Sequence, residues 1–189
     1  MTLDELSALW SNLWPWLALL ALLSFWMLGA YNRLVALRAA ILSAWSGVDQ
    51  LVKTRSQVVL ALLAAVVDRL HGEEAAVAAA DQAQSAVQQA LAGVGLRLAE
   101  TSAVAALAEA DSALAGRLAR LVALAEQQSA LRADSGVAAQ LQALRELEPQ
   151  LGFARQRFND AGARYNQALA QFPTRLLMPV FGFNPAGRF

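Results

Sequence analysis

The sequence predicts an all-α protein: one N-terminal transmembrane helix continuous with an up-down antiparallel four-helix bundle. Three observations carry this. No charged residue occurs between Glu5 and Arg33, and about 20 apolar residues are enough for a helix to cross a hydrocarbon core roughly 30 Å thick. Beyond Arg33 the apolar residues recur in steps of three, four and seven, and no run alternates with the two-residue period of a strand. Glycine and proline then divide the rest into four amphipathic segments with short connections, which is the pattern of a bundle. The resulting organisation is a short segment over 1–12, an anchor over 13–32, a helical bundle over 33–172 and an apolar tail over 173–189.

The anchor centres on Trp14–Leu28. Trp10, Trp14 and Trp16 mark one end and Trp26 and Tyr31 the other, and amphipathic aromatics favour the headgroup level at each interface. A cleaved signal peptide would want a basic start and a small-residue cleavage site, whereas Asp4 and Glu5 precede this segment. A soluble core helix would show a polar stripe, and none is present. Pro15 falls near the expected start, where a missing N–H costs little. Arg33 and Arg38 follow the segment, so the positive-inside rule predicts an outside N-terminus and a cytoplasmic bundle in a single-pass inner-membrane protein.

The first bundle helix continues directly from the anchor. Leu34, Leu37, Ile41, Trp45, Val48, Val52, Val59, Leu62 and Val66 share one face, and His71-Gly72 supplies a C-terminal stop. Unbroken from Leu13 to Leu70, it would be a rod of roughly 87 Å, with Gly29 as the one candidate hinge. An alanine-rich second helix is expected from Glu73 to Ala92, its paired acids suiting a positive helix start. Gly93 and Gly95 mark the next turn. The third helix runs from Thr101 to Gln128, with Val104, Leu107, Leu114, Leu118, Leu121 and Ala125 inward. For the fourth, Asp134 and Ser135 are N-cap candidates and Pro173 forces the end at Phe172. Its seam of Leu144, Leu147, Leu151, Ala154, Phe158, Ala161, Tyr165, Ala168 and Phe172 alternates steps of three and four, as a coiled coil does. The seam slips near Pro149, where a kink is expected.

Composition narrows the function. Fifteen basic and fifteen acidic residues cancel, which argues against a nucleic-acid binder. The chain has no cysteine, hence no disulfide, thiolate metal site or cysteine nucleophile. Its one histidine, His71, has no companion at ligand spacing and closes a helix, so neither a metal site nor a Ser-His-Asp set can be assembled. Gly93-Val-Gly95 lacks the lysine and the strand of a nucleotide loop. Catalytic, cofactor and metal residues are therefore all expected to be none. Trp45 reads as a core aromatic, and Asp49 and Lys53 as a surface pair. Arg38, Arg55, Arg155 and Asn159 sit beside or within apolar faces and read as a satisfied polar network, or else as a polar pocket. The tail from Thr174 to Phe183 is too apolar for an ordinary disordered end. It is expected to fold back and cap the bundle, the other readings being a dip into the bilayer interface or a partner-binding segment.

These residues resemble the LemA family of bacterial membrane-anchored proteins. The carriers are Tyr31-Asn32 through Arg38, then Trp45, Asp49 and Arg55, followed by Glu126, Glu148, Arg155 and Asn159. Tyr165-Asn166, Phe172-Pro173 and the terminal Phe181-Gly182-Phe183 complete the set. The chain departs from the family pattern at Leu60-Ala61, Gln128-Ser129 and Phe158, and so reads as a divergent member. The resemblance implies an anchor, a helical bundle, no recognised enzyme activity and a part in envelope processes, one relative helping to build magnetosome membranes. The expected role is a non-enzymatic scaffold of the bacterial envelope whose partners are the lipid bilayer and another protein or further copies of itself. Nucleic acid and small-molecule substrates are not expected. The alternative is a regulatory adaptor for a membrane protease or sensor.

Overall fold

A computed structural model describes residues 3–96, 101–172, 174–177 and 182–189. Among these residues the chain is helical and has no strand. Four long helices, α1 (Leu3–Val66), α2 (Glu74–Leu96), α3 (Thr101–Gln127) and α5 (Ser135–Ala170), are joined by turns, a one-turn α4 (Ser129–Arg132) and, after α5, a 3-10 turn at Thr174–Leu177. α1 packs along α5 and α2 along α3, and α1 also touches α2. The order is up, down, up, down, as expected for short connections.

α1 is 64 residues long and runs through Gly29 without interruption, so it is roughly 96 Å from end to end at 1.5 Å per residue. It is the one helix among the described residues long and apolar enough to cross a membrane; its apolar 18-residue window has mean hydropathy 1.7 and is not buried at all by the rest of the chain. A core helix of a soluble protein would be covered. Here Trp14, Trp16, Leu22 and Phe25 point away from the protein. The helix starts at Leu3, ten residues earlier than expected, which puts Pro15 inside it rather than in its first turn. Membrane-type helices accept such prolines because neighbouring groups re-satisfy the freed backbone.

Below Arg33 the apolar stripe turns inward. Leu34, Ile41, Trp45, Val48, Val52, Val59, Leu62 and Val66 are all buried, and the Trp45 ring meets Phe158 of α5 edge-on at 5.7 Å between centroids. Gly72 has φ +84°, a left-handed conformation that glycine adopts without penalty, and it turns the chain into α2. Its N–H donates to Glu74 Oε1 at 2.9 Å, which holds the Glu74 carboxyl below its ordinary value. α2 continues through Gly93 to Leu96, past the expected stop at Ala92. One expectation for the last helix is corrected. α5, with Pro149 inside it, ends at Ala170 rather than Phe172, which leaves Phe172 83% exposed instead of inward.

The start of α5 is capped by Asp134, whose Oδ1 accepts from the N–H groups of Gly136 (2.9 Å) and Val137 (3.0 Å). The same carboxylate accepts from Arg69 at 2.8 Å, tying the far end of α1 to α5. The Val137 N–H first, and then Arg69, hold this carboxyl below the usual aspartate range. A folded-state pKa below the unfolded one means that the contribution is present above the unfolded value and is lost as pH falls through the folded one. Asp134→Ala should therefore lower Tm by a few degrees at pH 7, and the gap from the parent should narrow as pH drops below about 4. Thermal melts followed by circular dichroism across that range check it; a gap independent of pH would rule out the carboxylate as the cap.

Candidate functional site

The seams of three helices are each interrupted by polar residues. On α1, Arg55 and Ser56 stand between Val52 and Val59; on α2, Gln84 between Ala80 and Val87; on α3, Asp111 between Leu107 and Leu114. All four polar residues are buried. Arg120 of α3 reaches Glu73 at the head of α2, and that register brings Gln84 and Asp111 to one level along the antiparallel pair. A polar layer thus crosses the middle of an otherwise apolar bundle.

Its centre is Asp111. One oxygen accepts from Arg55 and the other from Arg155 of α5, while Arg55 also donates to Glu148 at 3.1 Å. Two guanidinium groups thus face two carboxylates, so the layer is neutral. Arg55 is only 1% exposed; a charge that deep persists only with its partners in place. Both Nε atoms of the arginine pair and the Gln84 amide make no hydrogen bond among the described residues.

The tail is built onto this layer. The Arg155 guanidinium lies over the Phe189 ring, 5.2 Å from its centroid, a cation–π geometry. One turn further along α5, Asn159 Nδ2 donates to the main-chain oxygen of Phe189 (3.0 Å) and its Oδ1 accepts the Phe189 N–H (2.7 Å). Two turns beyond, Asn166 does the same for Ala186, at 3.0 and 2.8 Å. The match has a geometric cause. Seven helical residues rise about 10.5 Å, and three extended residues cover about 10 Å. Two asparagines on one helix stripe therefore meet every third residue of an extended strand running antiparallel to them. Each amide engages backbone alone, as a neighbouring strand would.

Glycines let the strand lie close. A Cβ on Gly187 would come within 3.0 Å of Val104 Cβ and 3.1 Å of Thr101 Cα, and Gly162 of α5 faces the Gly187 carbonyl from the other side. Thr101 Oγ1 donates to the Pro185 carbonyl at 3.4 Å. Gly182, at φ +65°, turns the chain into this run, and Phe183 is buried with its ring 6.0 Å from Tyr31.

The other residues singled out above lie outside the polar layer. Arg38 lines a small cavity with Tyr165, Gly182 and Phe183, and burial raises the Tyr165 pKa against the opposing pull of Arg38. Asp49 pairs with Lys53 at 2.7 Å, and Glu126 accepts from Arg145. Asn32 and Phe172 are exposed, and Pro173 lies outside the described residues. The network therefore gathers Arg55, Glu148, Arg155, Asn159 and Asn166 from the expected set, while Arg38, Tyr165, Gly182 and Phe183 meet at a second place with Tyr31 against Phe183. Asp111 and Gln84 were missed, although a charged or amide residue at an inward heptad position was the available signal. Among the described residues no three His, Cys, Asp or Glu side chains converge as metal ligands.

The model of the LemA family matches residues 44–189, most of the chain. No curated protein matches the chain.

Proposed function

The chain belongs to the LemA family, and on that premise we propose that it is a membrane-anchored, non-enzymatic helical scaffold of the bacterial envelope. One observation carries the reading: the exposed apolar segment and the first wall of the bundle are a single helix, Leu3–Val66. A domain on a flexible linker would explore a wide volume over the membrane. A domain built on the anchor itself is held at one height and angle, which suits a protein whose work is to place other molecules. The family is not one known for an enzyme activity, and the buried carboxylate of Asp111 is engaged by arginines rather than open to a substrate. The bundle is read as cytoplasmic in the inner membrane, because Arg33 and Arg38 flank the anchor on the bundle side.

Crosslinking in intact membranes, followed by purification of the full chain in detergent, tests the scaffold. Self-crosslinked species of two or more copies are expected. A single copy joined to one other protein in equal amount would instead favour a regulatory adaptor. Topology is checked separately: protease added outside the cell should leave residues beyond 40 intact.

A further inference from the structure

On the side of α1 and α5 away from residues 182–189, two cavities follow one another from the bundle down to the anchor and form a furrow. Its upper part, about 300 Å³, is lined by Leu37, Ala40 and Ala44 of α1 and by Arg157, Asp160 and Arg164 of α5. Its lower part, about 350 Å³, is lined by Trp26, Gly29 and Arg33 of α1 and by Gln171, Phe172 and Thr174. The two share one stripe of each helix, since residues 26, 30, 33, 37, 40 and 44 and residues 157, 161, 164 and 171 are spaced by three, four and seven. The lower part reaches the anchor and sets Trp26 and Phe172 beside Arg33, Gln171 and Thr174, with Phe172 83% exposed although it is large and aromatic. Arg33 in the lower part and Arg157 and Arg164 in the upper part are exposed and make no ion pair among the described residues, and Asp160 is the one acid on the lining. Free cations beside aromatic side chains that reach the anchor form an amphipathic receptor.

We infer that this furrow seats one anionic phospholipid of the surrounding leaflet, its acyl chain beside Trp26, Gly29 and Phe172 and its phosphate held by Arg33 and Arg164. Arg33 is the first charge past the anchor, and Arg164 stands about two helical turns above Gln171, within the combined reach of two arginine side chains. Arg157 is another two turns away, roughly 10.5 Å, and contributes to the field rather than to contact. A phosphate diester and guanidinium groups make charge-assisted hydrogen bonds of fixed geometry, whereas a zwitterionic headgroup also brings a cation against the arginines. Bound lipid would fill the gap left where α5 stops at Ala170 and so fix the bundle's rotation about the anchor. The inference rests on the membrane-anchored reading.

The test uses the full chain. In neutral detergent it is mixed with equal amounts of phosphatidylglycerol and phosphatidylcholine, and retained lipid is counted by native mass spectrometry. Phosphatidylglycerol should be kept over phosphatidylcholine by about 25-fold, Arg33 and Arg164 each contributing around fivefold. The Arg33→Gln, Arg164→Gln double variant should bring that ratio close to one. Arg157→Gln should lower it less, and Arg132→Gln, at the other end of the bundle, should leave it unchanged; none of these side chains is buried, so the fold is kept. Equal retention by the parent, an equal loss in Arg132→Gln, or displacement of the lipid by millimolar inorganic phosphate would each overturn the site. Flotation of the full chain with vesicles of phosphatidylcholine alone reports on the anchor separately. A chain that floats without lipid preference refutes the furrow only; one that does not float refutes the anchor, and the furrow's lipid with it.

Discussion

Asp111→Leu is expected to destabilise the protein by about 3–5 kcal/mol, the usual cost of stranding a buried charge by removing its partner. Arg55 is 1% exposed, and among its contacts the carboxylate of Asp111 is the buried one, Glu148 being largely at the surface. Leucine would fit the apolar seam on either side, so the loss would report electrostatics rather than volume. Against a typical total of 5–15 kcal/mol, a change of that size removes a large fraction of the stability. Arg155, a quarter exposed, can turn toward water, so Arg55 is where the penalty falls. The double variant Arg55→Met, Asp111→Leu should therefore recover most of the loss, because a buried ion pair exchanged for apolar side chains is often neutral or stabilising. Guanidinium unfolding of the full chain in detergent, followed by circular dichroism, measures all three proteins. If the single variant unfolds at the parent's midpoint, the buried layer contributes little to the fold.

Gly187→Val should release the tail. The added side chain would collide with Thr101 and Val104, the first of which presents backbone that cannot swing aside. Releasing residues 182–189 gives up four hydrogen bonds from Asn159 and Asn166, the Phe183 burial and the Phe189 stack. The contacts given up amount to about 5–7 kcal/mol, at about 1 kcal/mol per net hydrogen bond and 1.5–3 kcal/mol for one buried aromatic, and the entropy the freed tail regains offsets most of that, so global stability should change little. Hydrogen exchange offers the sharper readout. The Ala186 and Phe189 amides, protected in the parent, should exchange freely in the variant, and the start of α3 should loosen with them. Asn159→Asp, with Asn166→Asp, should act in the same direction, since a carboxylate can accept the two N–H groups but cannot donate to the two main-chain oxygens. Protection that survives Gly187→Val would show that the strand is held by something other than this slot.

Much of the fold was legible because hydrophobic spacing is a local signal. The α1 stripe from Leu34 to Val66 and the α3 stripe from Val104 to Ala125 are buried as read, and Asp134 could be picked as a cap from its place before a periodic run. Helix ends were less legible. Gly93 did not stop α2, since one glycine costs only about 1 kcal/mol in a helix, and Pro173 did not carry α5 to Phe172. The site was harder still. Gly162 lies off the α5 seam, yet it is buried, facing the Gly187 carbonyl 25 residues downstream. No periodicity within α5 encodes that contact. Asn159 and Asn166 stood out by family resemblance, but their task, pairing with backbone, leaves no signature in the residues they hold. The polar layer could have been found, because Arg55, Gln84 and Asp111 each break an apolar stripe at an inward position.

The account's central claim is that anchor and bundle are one rigid element. The chain has no cysteine, so spin labels at Leu20→Cys and Leu42→Cys, both on exposed positions of α1 either side of Gly29, can be placed without background. In a lipid nanodisc, pulsed dipolar spectroscopy should give one narrow distance distribution near 33 Å, the rise of 22 helical residues. A broad or two-peaked distribution, or a mean well short of that rise, would mean that α1 bends between membrane and bundle, and the scaffold reading would fail.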